Sequence, residues 1–130
     1  MDEIYIDALK ALADPNRLRL FWLLIHVNDR ICVAEAMDVL DESQYNVSRN
    51  LKILHKAKLL EQQKEGKWVF YTLKNQKKQY MHKLVESVKE MPSNGFTKEK
   101  KRCQLRLSMR KGNQCVVGAN SDEWKKINAY

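Results

Sequence analysis

A mainly α-helical domain carrying one small β-hairpin is the fold class this sequence predicts, and three observations predict it. Apolar residues recur at helical spacing in five separate stretches between residues 4 and 91. Between residues 59 and 73 that period gives way to two strand-like runs around a tight reversal. The length of 130 residues, 44% of them hydrophobic, suits one globular domain with a real core and room for an appendage.

The first helix covers DEIYIDALKALA, with Ile4, Ala8, Ala11 and Leu12 at helical spacing. Asp14-Pro15 then resets the chain, Asp14 as N-cap and Pro15 at the first helical position, where its missing N–H costs nothing. The second helix, Asn16 to about Asn28, contains LRLFWLLIHV and is the core piece; Asn28-Asp29 ends it. A third, about Val33 to Leu40, is expected to turn Val33, Ala36, Met37 and Leu40 inward. Asp41-Glu42 make a brief turn, and Ser43 caps a fourth helix that begins SQYNVSRNLKILHK. LLEQQ, a Glu65-Gly66 turn and KWVFYTL form the hairpin, with Gly66 supplying the positive φ. A fifth helix runs roughly from Asn75 to Glu90, with Tyr80, Leu84, Val88 and Met91 along one stripe.

PSNG at 92–95 breaks that helix. It divides the chain into a unit of residues 1–91 and a basic, cysteine-containing tail of residues 92–130. In the tail Leu105, Leu107 and Met109 alternate with polar residues, and Gly112-Asn113 can reverse the chain. A small hairpin and a disordered basic arm are both consistent with that pattern.

The net charge of +8 is unevenly placed. Residues 1–41 carry four basic and eight acidic residues, residues 42–130 twenty and eight. A polyanionic partner for the second part follows, nucleic acid being the commonest. The fourth helix sharpens this. Val47, Leu51 and Leu54 stack on one side of it, and Tyr45, Arg49, Lys52 and Lys56 fall together on the other. An ordinary surface helix mixes Glu with its Lys, yet no acidic residue occurs from Ser43 through Leu60.

Helix, helix, short turn, helix, hairpin is the order of a winged helix-turn-helix, whose second motif helix enters the major groove. Ser43, Gln44 and Tyr45 then stand at the end that reaches base edges, and Ser48, Arg49 and Lys52 follow one turn later, where donors meet bases or phosphates. Lys64 and Lys67 flank the hairpin tip, where a wing straddles a phosphate backbone. Singly, each of these residues reads as solvated surface. Placed together on one face, they point to double-stranded DNA.

Other classes fare worse. No apolar run approaches the ~20 residues needed to span a bilayer, and the acidic opening MDEIYIDALK is not a secretory signal. A cytoplasmic protein is therefore expected, and three widely spaced cysteines fit reduced thiols rather than a disulfide scaffold. Neither a Ser-His-Asp set nor a phosphate-cradling glycine loop is visible, so no enzyme and no required cofactor is expected. A winged-helix module used only for protein assembly is the competing reading; it predicts no salt-dependent DNA binding.

LKALADPNRLRLFWLL, ICVAE and SQYNVSRNLKILHKAKLLEQQKEGKWVFYTL together resemble the ArsR/SmtB family of bacterial and archaeal metal-sensing repressors, over about residues 4–90. The resemblance implies a homodimer joined through the first and last helices of the winged unit, repression by occupying an operator, and release by an inducer. The family's base contacts land on Gln44, Tyr45, Ser48 and Arg49, and its usual His after them is Asn50 here. Its arsenite-binding members carry Cys-Val-Cys-x-x-Cys at the start of the third helix, where this chain keeps Cys32 and has Ala34 and Met37. Its zinc-sensing members place Asp-x-His and His-x-x-Glu/His on the last helix, where this chain offers His82 and Glu86. His26 and His55 read as ordinary surface or partly buried residues.

Trivalent arsenic takes soft thiolates in a pyramid. If the tail folds over the third helix, Cys32, Cys103 and Cys115 can meet and hold arsenite or another thiophilic ion as inducer. KEKKR before Cys103 is expected to favour its thiolate. A hairpin turning at Gly112-Asn113 sets Cys103 and Cys115 roughly 23 Å apart at ~3.3 Å per residue, beyond disulfide reach. Cys32 is then expected to work with one tail cysteine, Cys103 in preference to Cys115. Three unrelated thiols, and a two-cysteine redox or reactive-sulfur sensor, are the alternatives.

Overall fold

The computed structural model describes residues 1–27 and 29–129. Helix α1 (Glu3–Leu12) is capped by Asp2, whose carboxylate accepts the Ile4 N–H, and it buries Ala8, Ala11 and Leu12. In α2 (Pro15–Val27) the Asp14 carboxylate accepts the N–H groups of Asn16 and Arg17 at 2.9 and 3.1 Å. The end expected at Asn28 lies outside the described residues. Leu20 through Ile25 are all buried, because α2 is packed by other helices around its circumference.

Strand β1 (Ile31–Cys32) had no sequence signal. It leads into α3 (Val33–Leu40), which ends at Asp41 in the left-handed region, φ 54°. Ser43 Oγ accepts the Asn46 N–H at 3.2 Å and starts α4 (Gln44–Lys56), whose Val47, Leu51 and Leu54 are buried as the spacing requires. The wing is β2 (Leu60–Glu65) and β3 (Trp68–Leu73), joined by a two-residue turn with Gly66 at φ +57°. β1 pairs antiparallel with β3, Cys32 opposite Phe70, so the sheet order is β1-β3-β2. Helix α5 (Gln79–Lys89) starts later than the expected Asn75.

On α3, Ala36 and Leu40 are buried as expected and Val33 and Met37 pack half-buried against the core, but Glu35, Asp38 and Val39 are buried too. One expectation is corrected. The tail is neither a hairpin nor an arm: a 3₁₀ turn (Ser93–Phe96) leads into α6 (Thr97–Leu107), and α7 (Asp122–Asn128) follows. Phe96 stacks on Trp22 at 4.0 Å between ring centres, and α6 lies against α3. The buried stripe of α6 is Glu99, Cys103 and Arg106, helically spaced but mostly charged. The Gly112-Asn113 reversal does form, at φ 58° and 61°, closed by a single bridge between Lys111 and Gln114. Among the described residues no helix is long and apolar enough to cross a membrane.

Candidate nucleic-acid interface and thiol site

The outer face of α4 presents Gln44, Tyr45, Arg49 and Lys52 to solvent, with Ser48 half-buried between them. Tyr45 is 72% exposed, an aromatic ring no core uses, and the Arg49 guanidinium lies 5.6 Å from its centre. A planar donor beside an open ring is a combination that can meet base edges. Ser43 is exposed but commits its oxygen to the cap. Lys64 and Lys67 are exposed on the wing, Lys67 4.9 Å above the Trp68 ring. Asn50 turns away from this face; it is buried, with its amide oxygen unpartnered.

Between α4 and the wing runs a groove of about 590 Å³ lined by Gln44, Ser48, Lys52, Lys67 and Trp68. Its far wall comes from the tail, at Gly118, Ala119 and Asn120. The structure therefore brings four of the eight expected DNA-facing residues, Gln44, Ser48, Lys52 and Lys67, to one concave surface, leaves Ser43, Tyr45, Arg49 and Lys64 outside it, and sets a strap of tail beside them.

Cys32 and Cys115 meet. Cys32 closes β1 and caps α3, Cys115 follows the Lys111–Gln114 reversal, and their sulfurs are 3.5 Å apart in a buried cluster with Phe70. The Cys32 thiol donates to Cys115 Sγ, and the Cys115 thiol donates to the Val117 carbonyl at 3.5 Å. Glu35, fully buried, accepts the Cys32 N–H at 3.1 Å, and its carboxylate stands within 4.8 Å of both sulfurs. Burial, and then the negative charge of Glu35, push the Cys32 thiol far above its ordinary range.

Cys103 is not brought to this site. It packs in the main core and lines a cavity of about 240 Å³ with Leu23, His26 and Leu107. Burial, and next Glu35, push its thiol up to about 11, the reverse of what the preceding lysines suggested. His82 and Glu86 form an exposed pair at 4.0 Å on α5. His26 lies tilted against Trp22, 3.9 Å between ring centres, and burial followed by the charge of Lys100 lowers its pKa.

Sequence reasoning missed the residues that clamp the tail. Arg106 Nε donates to Asp38 at 2.7 Å with both side chains 1% exposed or less, and Arg106 Nη2 donates to the carbonyls of Val117 and Gly118. The second oxygen of Asp38 accepts the Asn120 N–H at 2.9 Å, so one ion pair holds both ends of the strap. One turn on, Arg110 forks onto Glu35 with two bonds of 2.7 Å, and it also reaches Asp29 and the Arg30 carbonyl. The available signal was the spacing: two acids three apart on α3, two arginines four apart in the tail. Elsewhere, Ile4, Leu9 and Tyr80 leave 38%, 45% and 39% of their surface open on α1 and α5, where Tyr5 meets Tyr80 edge-on at 5.3 Å.

Known proteins resemble this chain over the winged unit. A helix-turn-helix domain family matches residues 12–63. An uncharacterized HTH-type transcriptional regulator of Methanocaldococcus jannaschii is 35% identical over 82 residues, which cover 63% of this chain and 91% of that one. The arsenical resistance operon repressor of Escherichia coli is 41% identical over 68 residues, 52% of this chain and 57% of that one. Among solved structures, HlyU from Vibrio cholerae superposes with a TM-score of 0.55 at 29% identity, over 66% of this chain and 91% of that chain.

Proposed function

The chain belongs to the ArsR family of winged-helix transcriptional regulators, and from that premise we propose that it is an operator-bound repressor released by a thiophilic inducer at Cys32 and Cys115. The observation that carries this reading is the 3.5 Å approach of those two sulfurs, one at the N-cap of the motif's first helix and one just before the strap that lies beside its second. The relative in Escherichia coli is an arsenical resistance repressor, which supports arsenite as inducer.

The donor set suits a pyramidal centre. Two ion–sulfur bonds of about 2.3 Å, spanning 3.5 Å between sulfurs, meet at an angle near 100°, narrower than a tetrahedral site. Arsenous acid condenses with two thiols without redox change. Two As–O bonds break, two As–S bonds form, and each thiol proton leaves with a hydroxide as water. The product carries no new charge, which a buried site requires.

The consequence for this chain is local. Once Cys115 has lost its proton it no longer donates to the Val117 carbonyl. That carbonyl belongs to the strap whose residues 118–120 share a groove with Gln44, Ser48 and Lys52. Ligand state is thereby coupled to the DNA-facing side chains through a few residues. The open apolar side chains on α1 and α5 support a homodimer, which would present two recognition helices about one DNA turn, ~34 Å, apart. Reduced thiols suit the cytoplasm.

A second reading, a Cys32–Cys115 disulfide formed by an external oxidant, is favoured by the same proximity. The raised Cys32 pKa opposes it, since the thiolate is the attacking species. The test is fluorescence anisotropy on a duplex selected by the protein from a random pool. Binding should fall with salt and be released by about one arsenite per chain. Absence of salt-dependent duplex binding contradicts the repressor reading; release by oxidant but not by arsenite selects the disulfide.

A further inference from the structure

Glu35 is the obvious third ligand for an ion on Cys32 and Cys115, and the structure shows it already engaged. Both of its oxygens take Arg110 bonds of 2.7 Å, in the bidentate geometry that makes arginine–carboxylate pairs strong and directional. One of them also accepts the Cys32 N–H. The Arg110 side chain is 4% exposed, and its remaining donors go to Asp29, Asn113 and the Arg30 carbonyl. For Glu35 to swing onto an ion, a buried guanidinium must lose its principal partner, which is strongly unfavourable.

We infer that Arg110 is the residue that sets the inducer class of this site: by holding Glu35 it leaves two thiols only, admitting a trivalent oxyacid and excluding divalent soft cations. This rests on the reading of Cys32 and Cys115 as the inducer site. A divalent ion such as zinc is closed by four protein ligands in a structural site, and two sulfurs leave it half-bound. Arsenous acid brings its own hydroxyl as third ligand and asks only for the two thiols. A cation that binds both sulfurs also displaces two protons, whereas the oxyacid condensation releases water alone. The same ion pair orders the Cys32 end of the site, since Glu35 Oε1 bridges the Arg110 guanidinium and the Cys32 N–H. Arg110 is thus a positioning residue that acts through Glu35.

The test is calorimetric titration of the full chain with arsenite and, separately, with cadmium ion, alongside counts of thiols protected from a disulfide reagent. The parent should bind arsenite and protect two thiols while taking cadmium weakly. Arg110→Met frees Glu35, and cadmium affinity should then rise roughly tenfold or more, a gain that Arg110→Met with Glu35→Gln removes. Glu35→Gln alone keeps one acceptor oxygen, for Arg110 Nη2 and the Cys32 N–H, and gives up the bond from Arg110 Nε and the charge. It should leave arsenite affinity within about threefold, where loss of a true ligand costs at least tenfold. Cadmium bound by the parent as tightly as by Arg110→Met, or a tenfold loss of arsenite affinity in Glu35→Gln, overturns this assignment alone. A parent whose Cys32 and Cys115 take neither probe overturns the site itself, and the assignment with it.

Discussion

Residues 1–91 and the segment from Ser93 onward are held in place by different forces. The winged unit is built on side chains such as Leu20, Leu23, Leu51, Leu54 and Leu59, each 1% exposed or less. Each contributes about 1.5 to 3 kcal/mol by leaving water. The inward residues of α6 are Glu99, Cys103 and Arg106, and the apolar anchors of the segment are few, chiefly Phe96, Met109 and Trp124. Its contact with α3 runs through Arg106–Asp38 and Arg110–Glu35. Apolar packing loosens in increments. A buried ion pair is either complete or leaves a charge stranded, so a segment docked by such pairs has two states rather than many. That is the property a ligand-controlled element needs, and the two thiols lie at its edge.

The sharpest way to break this contrast is Arg106→Ala. It strands Asp38 in a dry interface and should cost about 3 to 5 kcal/mol of tail docking. Hydrogen exchange should accelerate in α6 and at Asn120 while α2 keeps its protection. Equal loss in α2 and α6 would mean that the two regions form one cooperative block.

The winged unit was legible because its burial is apolar. Val47, Leu51 and Leu54 mark the core side of α4 by spacing, and the acid-free opposite face is the one proposed for DNA. β1 was not legible: two residues, Ile31 and Cys32, carry no alternation and are strand only because β3 pairs with them. α6 is not legible because its buried stripe is polar, and the period-two run Leu105, Leu107, Met109 points to a strand instead. The cysteine partner changes with it. With the tail helical and folded back, Cys115 reaches Cys32 and Cys103 goes to the core. Glu35 was missed because its one sign in the sequence, two acids three apart on α3 and two arginines four apart in the tail, pairs residues 75 positions apart only once the tail folds back.

Smaller effects sharpen the comparison from the other side. Arg49→Ala or Gln44→Ala should weaken binding to the selected duplex by about 1 to 3 kcal/mol, with tail protection unchanged. Lys64→Ala should weaken all duplexes alike and lower the salt slope by about one. The discriminating observation is a salt titration on matched and scrambled duplexes. If Arg49→Ala loses affinity equally on both, α4 is not the reader.

The smallest effect concerns pH. Burial and Glu35 raise the Cys32 pKa, so that thiol stays protonated across the neutral range. Arsenite affinity should then be flat, within about threefold, from pH 6 to 8, because condensation exchanges water and not free protons. A divalent cation must expel both thiol protons, so its affinity should fall with falling pH by up to about a hundredfold per unit. Calorimetry at three pH values separates the two; an arsenite affinity that climbs steeply with pH contradicts the proton-neutral step.

The central claim is that inducer reaches the DNA face through Cys32 and Cys115 on the strap, and not through Cys103 in the core. Arsenite titrations of the parent, Cys115→Ser and Cys103→Ser against the same fluorescent duplex test it most directly. Cys115→Ser should remain bound to DNA at arsenite concentrations that release the parent, as Cys32→Ser should, while Cys103→Ser is released like the parent. Release of Cys115→Ser with retention of Cys103→Ser would contradict the account.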